Sequence, residues 1–583
     1  MELTYKKSGK LVSQKFREFF YPTVLASMAA QLGTIINGII VGNLISPHAM
    51  AAISACMPLS QITYALAVLI SIGASGLIAI AAGKRDNEEA NFIFGTVATT
   101  GAICAVILGA ILIPNVETLP NFLSSAENLR SLMHAYLIIF VWRLPLYLMS
   151  FSWQTLIRTD GFAKVVSRGV LFGQITNVAL SYFLVSNGFG VTGAGIALIC
   201  SDIIAISYML KRYFSSSERT RKLYPVFNDI GKFLKYVSTI IKSGIPTATG
   251  TGLISIKIWA IYQILGETGG EDAMTLYAIC MACLSVVSMC IAGCNGAMMP
   301  IVGMLYGEKD FGGVRILVKY VLKFALTLSG IFVALTIFFP QIILTLYNLP
   351  DSLFDAGATA LRLFVISLLG VTVTFLVMYY YTTIQRRFAA NLLSWTEGIL
   401  VVVPAAYFLS KIFGLNGVWY AFILAEIVGF IVIFIYTKVV CKNSNGKLND
   451  VFFIESNSPN LLYDVSFQAN IDNAAKIPSE IIALLKKNKI AENVALKVGV
   501  SLEEITANIF QINENKIVDV DIRIKSEENK IIIAVRDNGK TFNPLEYQPQ
   551  ENLEIESIEL LKSLSKNIKY NRVLSLNQTI IEI

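Results

Sequence analysis

Charged side chains are scarce in this chain. Of its 583 residues only 15% are Asp, Glu, Lys or Arg and only two are histidine, whereas 55% are apolar. Soluble globular domains carry about 25% charged residues, so the composition excludes an ordinary soluble protein and indicates a membrane protein. The basic start of the chain also lacks a small-residue cleavage site, so we expect the first apolar segment to be retained as a span.

Cysteine provides little scope for disulfide or metal chemistry. Most of the eight cysteines lie inside apolar segments, where a thiol acts as a small apolar group. Cys280 and Cys283 form a C-x-x-C sequence, but no histidine lies near them. We therefore expect neither a disulfide framework nor a metal or redox site at these cysteines.

Long apolar segments dominate the first 440 residues. A membrane-spanning helix needs about 20 mostly apolar residues, and twelve segments meet this requirement. The predicted spans lie near 19–41, 52–82, 93–113, 134–157, 169–186, 191–211, 243–265, 275–302, 315–338, 361–383, 393–410 and 416–440. The sequence therefore predicts an all-α polytopic membrane protein with twelve transmembrane helices in a lipid bilayer.

Basic residues are distributed asymmetrically between the loops. Lys and Arg are concentrated at the N-terminus and in alternate loops, whereas the segments 267–272 and 348–355 are acidic or neutral. Loops rich in Lys and Arg remain on the cytoplasmic side of a membrane. We therefore expect a multi-pass protein of the cell membrane with both termini in the cytoplasm, together with the tail that follows Cys441.

The apolar part contains an internal repeat, because the segments 188–202 and 412–426 align. The residues that coincide are Gly190 with Gly414, Gly193 with Gly417, and Asp202 with Glu426. Transporters are commonly built from repeated helical units around a substrate path. We expect two parallel six-helix repeats, with an N-terminal lobe in residues 1–220 and a C-terminal lobe in residues 221–441.

Three segments carry a resemblance to a known family. NGIIVGNLISPHAMAAIS at 37–54, GCNGAMMPIVGMLYGEKDF at 293–311 and GLNGVWYAF at 414–422 resemble the multidrug and toxin extrusion (MATE) transporters, and the resemblance covers residues 12–440. It implies two six-helix lobes around a central cleft that opens to alternate sides. It also implies export of small organic, often cationic compounds, with an H⁺ or Na⁺ gradient in place of a cofactor.

In the N-terminal lobe, neutral residues replace an acidic pair that the resemblance implies. One bacterial branch of the family has aspartates in helices 1 and 5, where this chain has Asn37 and Ser181, and the neighbouring asparagine is retained as Asn177. With Gln61, these side chains form a candidate cluster that coordinates a cation through oxygen atoms or binds a polar substrate. The alternative is that they only join helices by hydrogen bonds.

Lys257 is the most unusual residue of the predicted spans, because a charge at bilayer depth requires a partner or a function. Glu397 is one candidate partner, and Asp202 and Glu426 are others. A buried lysine with a carboxylate can exchange a proton for a cationic substrate. Alternatively, Lys257 extends to the membrane surface, and Asp202 and Glu426 have a shared helix-packing role. Trp259 is a candidate for binding flat cationic compounds.

The composition changes abruptly after Cys441. Residues 442–454 have the composition of a polar linker, and residues 455–583 have the charge and alternation of a small α/β domain. The predicted elements are helices at 478–488, 501–513 and near 553–565, two antiparallel strands that meet at 527–530, and a final strand. We therefore expect a cytosolic α/β domain at the end of the chain.

Two motifs in this tail resemble those of GHKL ATPases, most closely the small anti-sigma-factor kinases. EEITANIF at 503–510 resembles the N box, and VRDNGKTFNP at 535–544 resembles the G1 box. The resemblance implies roles for Glu504 as general base, Asn508 as an Mg²⁺ ligand, Asp537 as acceptor for the adenine amino group and Gly539 as a point of close backbone approach. The expected glycine-rich lid near 551–561 contains no glycine. The alternative is therefore a domain that has lost nucleotide binding and binds a partner protein or regulates the transporter.

Three functions are compatible with these features. The first is a cation-coupled antiporter that exports small organic compounds, regulated by a tail that binds ATP and Mg²⁺ or a cytosolic protein. The second is an exporter of lipid-linked saccharides, which a basic cluster in the cleft would favour. The third is a membrane sensor that signals through the tail. In each case we expect no enzyme activity and no nucleic-acid partner.

Overall fold

The structure of the protein is a computed structural model. It describes residues 7–46, 49–50, 52–53, 56–123, 127–215, 223, 225–226, 229–347, 349–444, 448, 451–454, 461–514, 516–527, 530–546 and 557–583. Within these ranges a helical part extends to Asn443, and a tail with strands and helices begins at Leu461.

The first helical bundle comprises residues 10–215. Its helices are α1 (Lys10–Leu44), α2 (Met57–Lys84), α3 (Asn87–Leu112), the short α4 (Leu119–Leu123), α5 (Glu127–Thr159), α6 (Ala163–Leu184) and α7 (Gly190–Ser215). A π-helical turn, Val185–Phe189, joins α6 to α7. Asp86 begins α3 by accepting a hydrogen bond from the Glu89 amide, which satisfies one of the free amides at the helix start.

The second helical bundle comprises residues 230–443. Its helices are α8 (Ile230–Gly307), α9 (Phe311–Phe338), the short α10 (Pro340–Leu346), α11 (Phe354–Thr383), α12 (Arg387–Trp395), α13 (Val402–Phe413) and α14 (Leu415–Asn443). A 3₁₀ turn, Asp351–Leu353, precedes α11, and a π-helical turn, Thr396–Leu400, lies between α12 and α13. Asp310 begins α9 by accepting from the Gly313 amide.

Ten stretches of helix in the described ranges are long and apolar enough to cross a membrane, by length and composition. The number differs from the predicted twelve because two pairs of predicted spans are joined, as Ala163–Ser215 and Ile230–Gly307. Each joined stretch contains a glycine with positive φ, Gly188 at 88° and Gly270 at 63°. Glycine adopts such angles without steric cost, so both stretches are interrupted where the sequence predicts a loop.

The two bundles are packed closely at the end that carries the tail. A Cβ placed on Gly83 of α2 would lie 2.1 Å from the carbonyl oxygen of Met304 in α8. A Cβ on Gly76 of α2 would lie 3.0 Å from the backbone of Thr383 in α11. Only glycine permits helices to approach this closely, so the bundles are closed against each other at this end.

Helix α1 contacts the second bundle near Val24. This residue lies against Gly293 of α8, where a Cβ would come within 2.1 Å of it. Further along α1, Met28, Leu32 and Ile35 are exposed at 44%, 52% and 57%. This part of α1 therefore carries apolar side chains that the second bundle does not cover.

The tail contains a five-stranded antiparallel sheet. Its strands are β1 (Leu461–Ala469), β2 (Val518–Glu527), β3 (Lys530–Asp537), β4 (Asn567–Val573) and β5 (Leu576–Glu582), in the order β1-β2-β3-β5-β4. Its helices are α15 (Ile471–Lys487), α16 (Glu492–Ile512) and α17 (Ser557–Leu564). Alternate strand residues on one face pack with these helices into a separate apolar core. The opposite face lies against the helical part of the chain.

Several predicted elements of the tail are confirmed. The two predicted antiparallel strands are β2 and β3, paired from Val520 with Asp537 to Glu527 with Lys530. Helices predicted at 478–488 and 501–513 form parts of α15 and α16, which both begin earlier. Strand β1 has no predicted counterpart, and the last helix is followed by two strands rather than one. The start of the predicted lid region and parts of the linker, 445–447 and 449–450, lie outside the described residues.

Candidate functional site

A lysine and a glutamate form a buried ion pair inside the second bundle. Nζ of Lys257 in α8 donates hydrogen bonds to Oε1 of Glu397 at 2.7 Å and to the Glu397 carbonyl oxygen at 3.0 Å. Both side chains are buried. Of the three candidate partners that the sequence offers for Lys257, the structure therefore pairs it with Glu397.

Local backbone geometry brings this pair together. Glu397 lies in the π-helical turn Thr396–Leu400, and such a turn disturbs the regular backbone hydrogen bonds of a helix. The Glu397 carbonyl oxygen accepts from Lys257. Gly398 allows α8 to approach, since a Cβ placed there would lie 2.6 Å from Cβ of Leu253. The turn and the glycine together place Glu397 within reach of the lysine.

A second glutamate completes the cluster. Oε2 of Glu426 in α14 accepts a hydrogen bond from Oγ1 of Thr374 at 2.8 Å, and its carboxyl group interacts electrostatically with that of Glu397. Two carboxyl groups beside one lysine balance its charge when one of them carries a proton. With Lys257 charged, the cluster is neutral when it holds this one proton, and a neutral cluster avoids the cost of an uncompensated buried charge.

A small cavity of about 10 Å³, enough for about one water molecule, adjoins the cluster. It is lined by Gly250, Ile254, Thr374, Phe375, Met378, Ser394 and Glu397. Two of these, Thr374 and Glu397, belong to the hydrogen-bonded network described above. The cavity therefore lies directly beside the Glu397 side chain.

Asp202 is not a partner of Lys257. In the first bundle, Oδ2 of Asp202 in α7 accepts a hydrogen bond from Nε of Arg143 in α5 at 2.9 Å. The Arg143 guanidinium also lies 5.1 Å from the centre of the Tyr147 ring. The prediction that Asp202 is a candidate partner of Lys257 is therefore wrong, because Arg143 of the same bundle neutralises the Asp202 carboxylate. Arg143 was missed, although an arginine inside an apolar segment is itself a signal of a buried partner.

Asn37 and Ser181 meet between α1 and α6. Oγ of Ser181 donates a hydrogen bond to Oδ1 of Asn37 at 2.5 Å. Asn177, one turn earlier on α6, is buried, and its Oδ1 has no hydrogen-bond partner among the residues that the structure describes. Gln61 is exposed on α2 and, in the described ranges, forms no hydrogen bond to the other three. The structure therefore joins two of the four predicted residues, Asn37 and Ser181, by a hydrogen bond, and a binding cluster with Asn177 and Gln61 stays a prediction.

Trp259 lies apart from the Lys257 cluster. Its side chain is 64% exposed, whereas that of Lys257 is 6% exposed. Residues two positions apart on a helix do not face each other. Trp259 therefore does not contribute to the buried site, and its role in binding flat cationic compounds stays a prediction.

Arg158 is a basic side chain that lies between the bundles. It is the penultimate residue of α5, and its Nη1 would lie 3.5 Å from a Cβ placed on Gly296 of α8. In the part of the chain that the structure describes, Arg158 has no acidic partner and its buried Nε has no acceptor. Tyr64 of α2 is close enough to interact with its charge. The contact region between the bundles therefore has a positive charge near its closed end.

In the tail, Asp537 and Gly539 lie in one turn after β3. Oδ1 of Asp537 accepts hydrogen bonds from the Gly539 amide and from Nδ2 of Asn577, both at 2.8 Å. Burial raises the pKa of Asp537 to about 6, although these hydrogen bonds act in the opposite direction. Asn577 lies on β5 outside both predicted motifs, so only its cross-strand pairing with Asp537 reveals it.

The two predicted tail motifs lie next to each other. Nδ2 of Asn508 donates to the Glu504 carbonyl oxygen at 2.7 Å on α16, and Asn508 is buried. This helix ends beside the Gly539 turn, where the Lys540 amide donates to Oδ1 of Asn513 at 2.8 Å. Across the described residues, no group of three or more His, Cys, Asp or Glu side chains is arranged to bind a metal. An Mg²⁺ site at Asn508 therefore stays a prediction.

The helical part of the chain is similar to known proteins. The MatE family profile matches residues 22–183 and 259–408. The probable multidrug resistance protein YoeA of Bacillus subtilis is 23% identical over 462 residues, which cover 76% of this chain and 96% of that protein. The multidrug export protein MepA of Staphylococcus aureus is 21% identical over 421 residues, which cover 71% of this chain and 91% of that protein.

Solved structures share this fold. A MATE protein in complex with MaL6 matches with a TM-score of 0.68 at 20% identity and covers 74% of this chain and 96% of its own. A MOP superfamily transporter from Pyrococcus furiosus matches with a TM-score of 0.67 at 19% identity and covers 76% and 99%. Since the family profile covers more than half of the chain, this polytopic membrane protein belongs to the MatE family.

Proposed function

We propose that this protein is a secondary active exporter of small organic compounds, driven by the inward movement of a cation. The multidrug resistance and export names of its relatives support drug-like substrates. The observation that carries the proposal is the cluster of Lys257, Glu397 and Glu426, which is buried, contains two carboxyl groups for one lysine and adjoins a small cavity. Because carboxyl groups exchange protons, H⁺ is the proposed coupling ion.

Twelve membrane crossings are proposed, with both termini and the tail in the cytoplasm. The interruptions at Gly188 and Gly270 support counting two of the ten long stretches as two crossings each. The distribution of Lys and Arg between loops supports the orientation. The bundles then correspond to lobes in residues 1–220 and 221–441, and the closed end faces the cytoplasm. Alternating access requires the lobes to separate there.

Coupling in this proposal is competition for the carboxyl groups. With Lys257 charged and one proton shared by Glu397 and Glu426, the cluster has no net charge. Loss of that proton leaves one uncompensated negative charge, which attracts a cationic substrate. Return of a proton from the side of higher H⁺ concentration removes this attraction and releases the substrate. The negative charge is therefore balanced in both states, by the proton in one and by the cationic substrate in the other, so no isolated charge is buried in the membrane part.

Proteoliposomes loaded with a fluorescent cation test this function. We expect an H⁺ gradient to drive flux in the wild type and Glu426→Gln to reduce it to background, because the amide retains hydrogen bonding but does not titrate. Glu271→Gln, at an exposed position, is the matched control. Full flux in Glu426→Gln contradicts the coupling site, and absence of any gradient-driven flux in the wild type favours a sensor.

Arg158 supports a second candidate function, export of an anionic lipid-linked saccharide. A guanidinium without an acidic partner in the described residues can bind a diphosphate group through paired hydrogen bonds. Lys257, in contrast, is already paired with Glu397. Movement of a fluorescent lipid diphosphate across proteoliposome membranes, and its loss in Arg158→Gln, would support this function. Transport of a cation but not of the lipid would exclude it.

The tail is proposed to be a regulatory domain that binds ATP. The adenine amino group would donate to the ionised Asp537 carboxylate, whose pKa burial raises to about 6. Affinity is then expected to be constant above about pH 7 and to fall about tenfold per pH unit below about pH 6. Binding of a fluorescent ATP analogue with Mg²⁺ to the full-length protein measures this. Affinity that increases as pH falls contradicts the role of Asp537.

A further inference from the structure

The tail sheet binds the second bundle through the face that carries no helices. Arg536 of β3 donates hydrogen bonds to Oε2 of Glu308 at 3.1 Å and to Oδ2 of Asp310 at 2.9 Å. Arg523 of β2 donates to the Glu308 carbonyl oxygen at 3.2 Å, and Gln578 of β5 donates to the Glu308 carboxylate. Three adjacent strands therefore bind the single loop between α8 and α9.

The same part of the tail also binds the first bundle. Lys7, just before α1, forms ion pairs with Asp464 of β1 at 2.9 Å and with Asp310 at 2.6 Å. Gly161, between α5 and α6, lies against Leu574, where a Cβ on the glycine would be 3.4 Å from Cα of the leucine. The tail is therefore in contact with both bundles at once.

This interface is buried and balanced in charge. Its acidic side chains are Glu308, Asp310, Asp464 and Asp521, and its basic side chains are Lys7, Arg85, Arg523 and Arg536. Burial alone would raise the pKa of Asp310, but Lys7, Arg523 and Arg536 hold that pKa well below its usual range. Removing one member would leave an opposite charge buried and unpaired, which is strongly unfavourable.

These contacts bridge the end at which the two bundles are closed. Gly83 meets Met304, and Gly76 meets Thr383, across the same closed end. When the bundles separate there, the sheet cannot remain bound to both. We propose that the tail is a clamp that holds the cytoplasmic end of the transporter closed, and that a ligand bound on the opposite face of the sheet loosens it.

Strands β3 and β5 carry clamp residues on one face and residues of the proposed nucleotide site on the other. The effect of a ligand on the clamp therefore rests on the proposed function of the tail. Arg536 and Asp537 are consecutive, and consecutive strand residues point to opposite faces. Gln578 and Asn577 are arranged in the same way on β5. The strand register pairs Arg536 with Gln578 on the clamp face and Asp537 with Asn577 on the other.

The geometry around Gly539 gives the direction of the effect. A Cβ on Gly539 would lie 2.5 Å from Nδ2 of Asn513, and Asp537 is already bound by Asn577. A ligand that takes the place of Asn577 on Oδ1 of Asp537 would displace this amide side chain. Displacing Asn577 shifts the end of β5 beside Gln578, which donates to Glu308. Ligand binding is therefore expected to weaken the clamp.

Maleimide labelling of Thr383→Cys, in full-length protein without its native cysteines, measures opening of this end, because Thr383 is fully buried against α2. We expect Arg536→Glu and Glu308→Arg each to increase the labelling rate about tenfold or more. The double variant should restore only part of the slow rate, because position 536 also faces Asp310 and Asp521. Lys569→Glu, an exposed basic residue on β4 of the same sheet, is the control and should not change it. Unchanged labelling in both single variants would overturn the clamp.

Addition of Mg-ATP tests the ligand effect separately. We expect it to increase labelling several-fold in the protein with the intact clamp and to add nothing in Arg536→Glu. Direct binding is measured in parallel with the fluorescent analogue. If the nucleotide binds but labelling stays the same, the coupling is rejected while the nucleotide site stands. If no nucleotide binds, both the nucleotide function and the coupling are rejected, and the variant data still decide the clamp.

Discussion

The two helical bundles have different buried polar groups. The second bundle contains Lys257 with Glu397 and Glu426, whereas the first has a hydrogen bond between Ser181 and Asn37. Carboxyl groups exchange protons in an accessible pH range, and amides and hydroxyls do not. In the proposed mechanism only the second bundle therefore responds to a pH gradient.

The repeat-related acids Asp202 and Glu426 show a second difference between the bundles. Asp202 is matched one to one by Arg143. Glu426 instead accepts from Thr374 and interacts with Glu397, which already binds the lysine. One carboxylate paired with one guanidinium has no net charge. Two carboxyl groups beside one lysine have no net charge only when one of them is protonated. The ratio of acidic to basic side chains therefore distinguishes a structural ion pair from a site that can exchange a proton.

The largest expected effect is that of Lys257→Met. Without the lysine, both buried carboxyl groups are expected to remain protonated, because an uncompensated charge at this depth is unfavourable. The proton exchange would stop, and we expect H⁺-driven flux in proteoliposomes to fall by about 100-fold, equivalent to about 3 kcal/mol. Lys319→Met, at an exposed position, is the control. Undiminished flux in Lys257→Met would show that the second bundle is not the coupling site.

An intermediate effect is expected for Asp202→Asn in the first bundle. The amide keeps the volume but leaves the Arg143 charge without its counterion, which should lower the free energy of unfolding by about 2–3 kcal/mol. Thermal unfolding in detergent should show this loss as a decrease of several degrees in Tm. The pH dependence of flux should not change. A shifted pH dependence would give the first bundle a part in coupling and remove the contrast.

The sequence predicts those features that depend on local patterns. Apolar length alone locates the helices, and Gly188 and Gly270 lie where loops are predicted. The choice of Glu397 over Asp202 as partner of Lys257 depends on which helices are neighbours and on a π-helical turn, and no periodicity encodes either. The bond between Arg536 and Glu308 joins residues 228 positions apart, so the docking of the tail could not be found from local sequence.

The smallest expected effect is that of Ser181→Ala. The substitution removes the hydroxyl that donates to Asn37, and hydrogen bonds between membrane helices contribute about 0.6 kcal/mol on average. H⁺-driven flux should then change less than about threefold. Asn37→Ala should have a similar effect, and the double variant should add little, because both changes break the same bond. Loss of flux in Ser181→Ala would instead mean that Asn37, Asn177 and Ser181 hold a transported ion or substrate. The neutral bundle would then be as necessary for transport as the charged one, and the contrast between them would describe two binding sites rather than one coupling site and one structural bond.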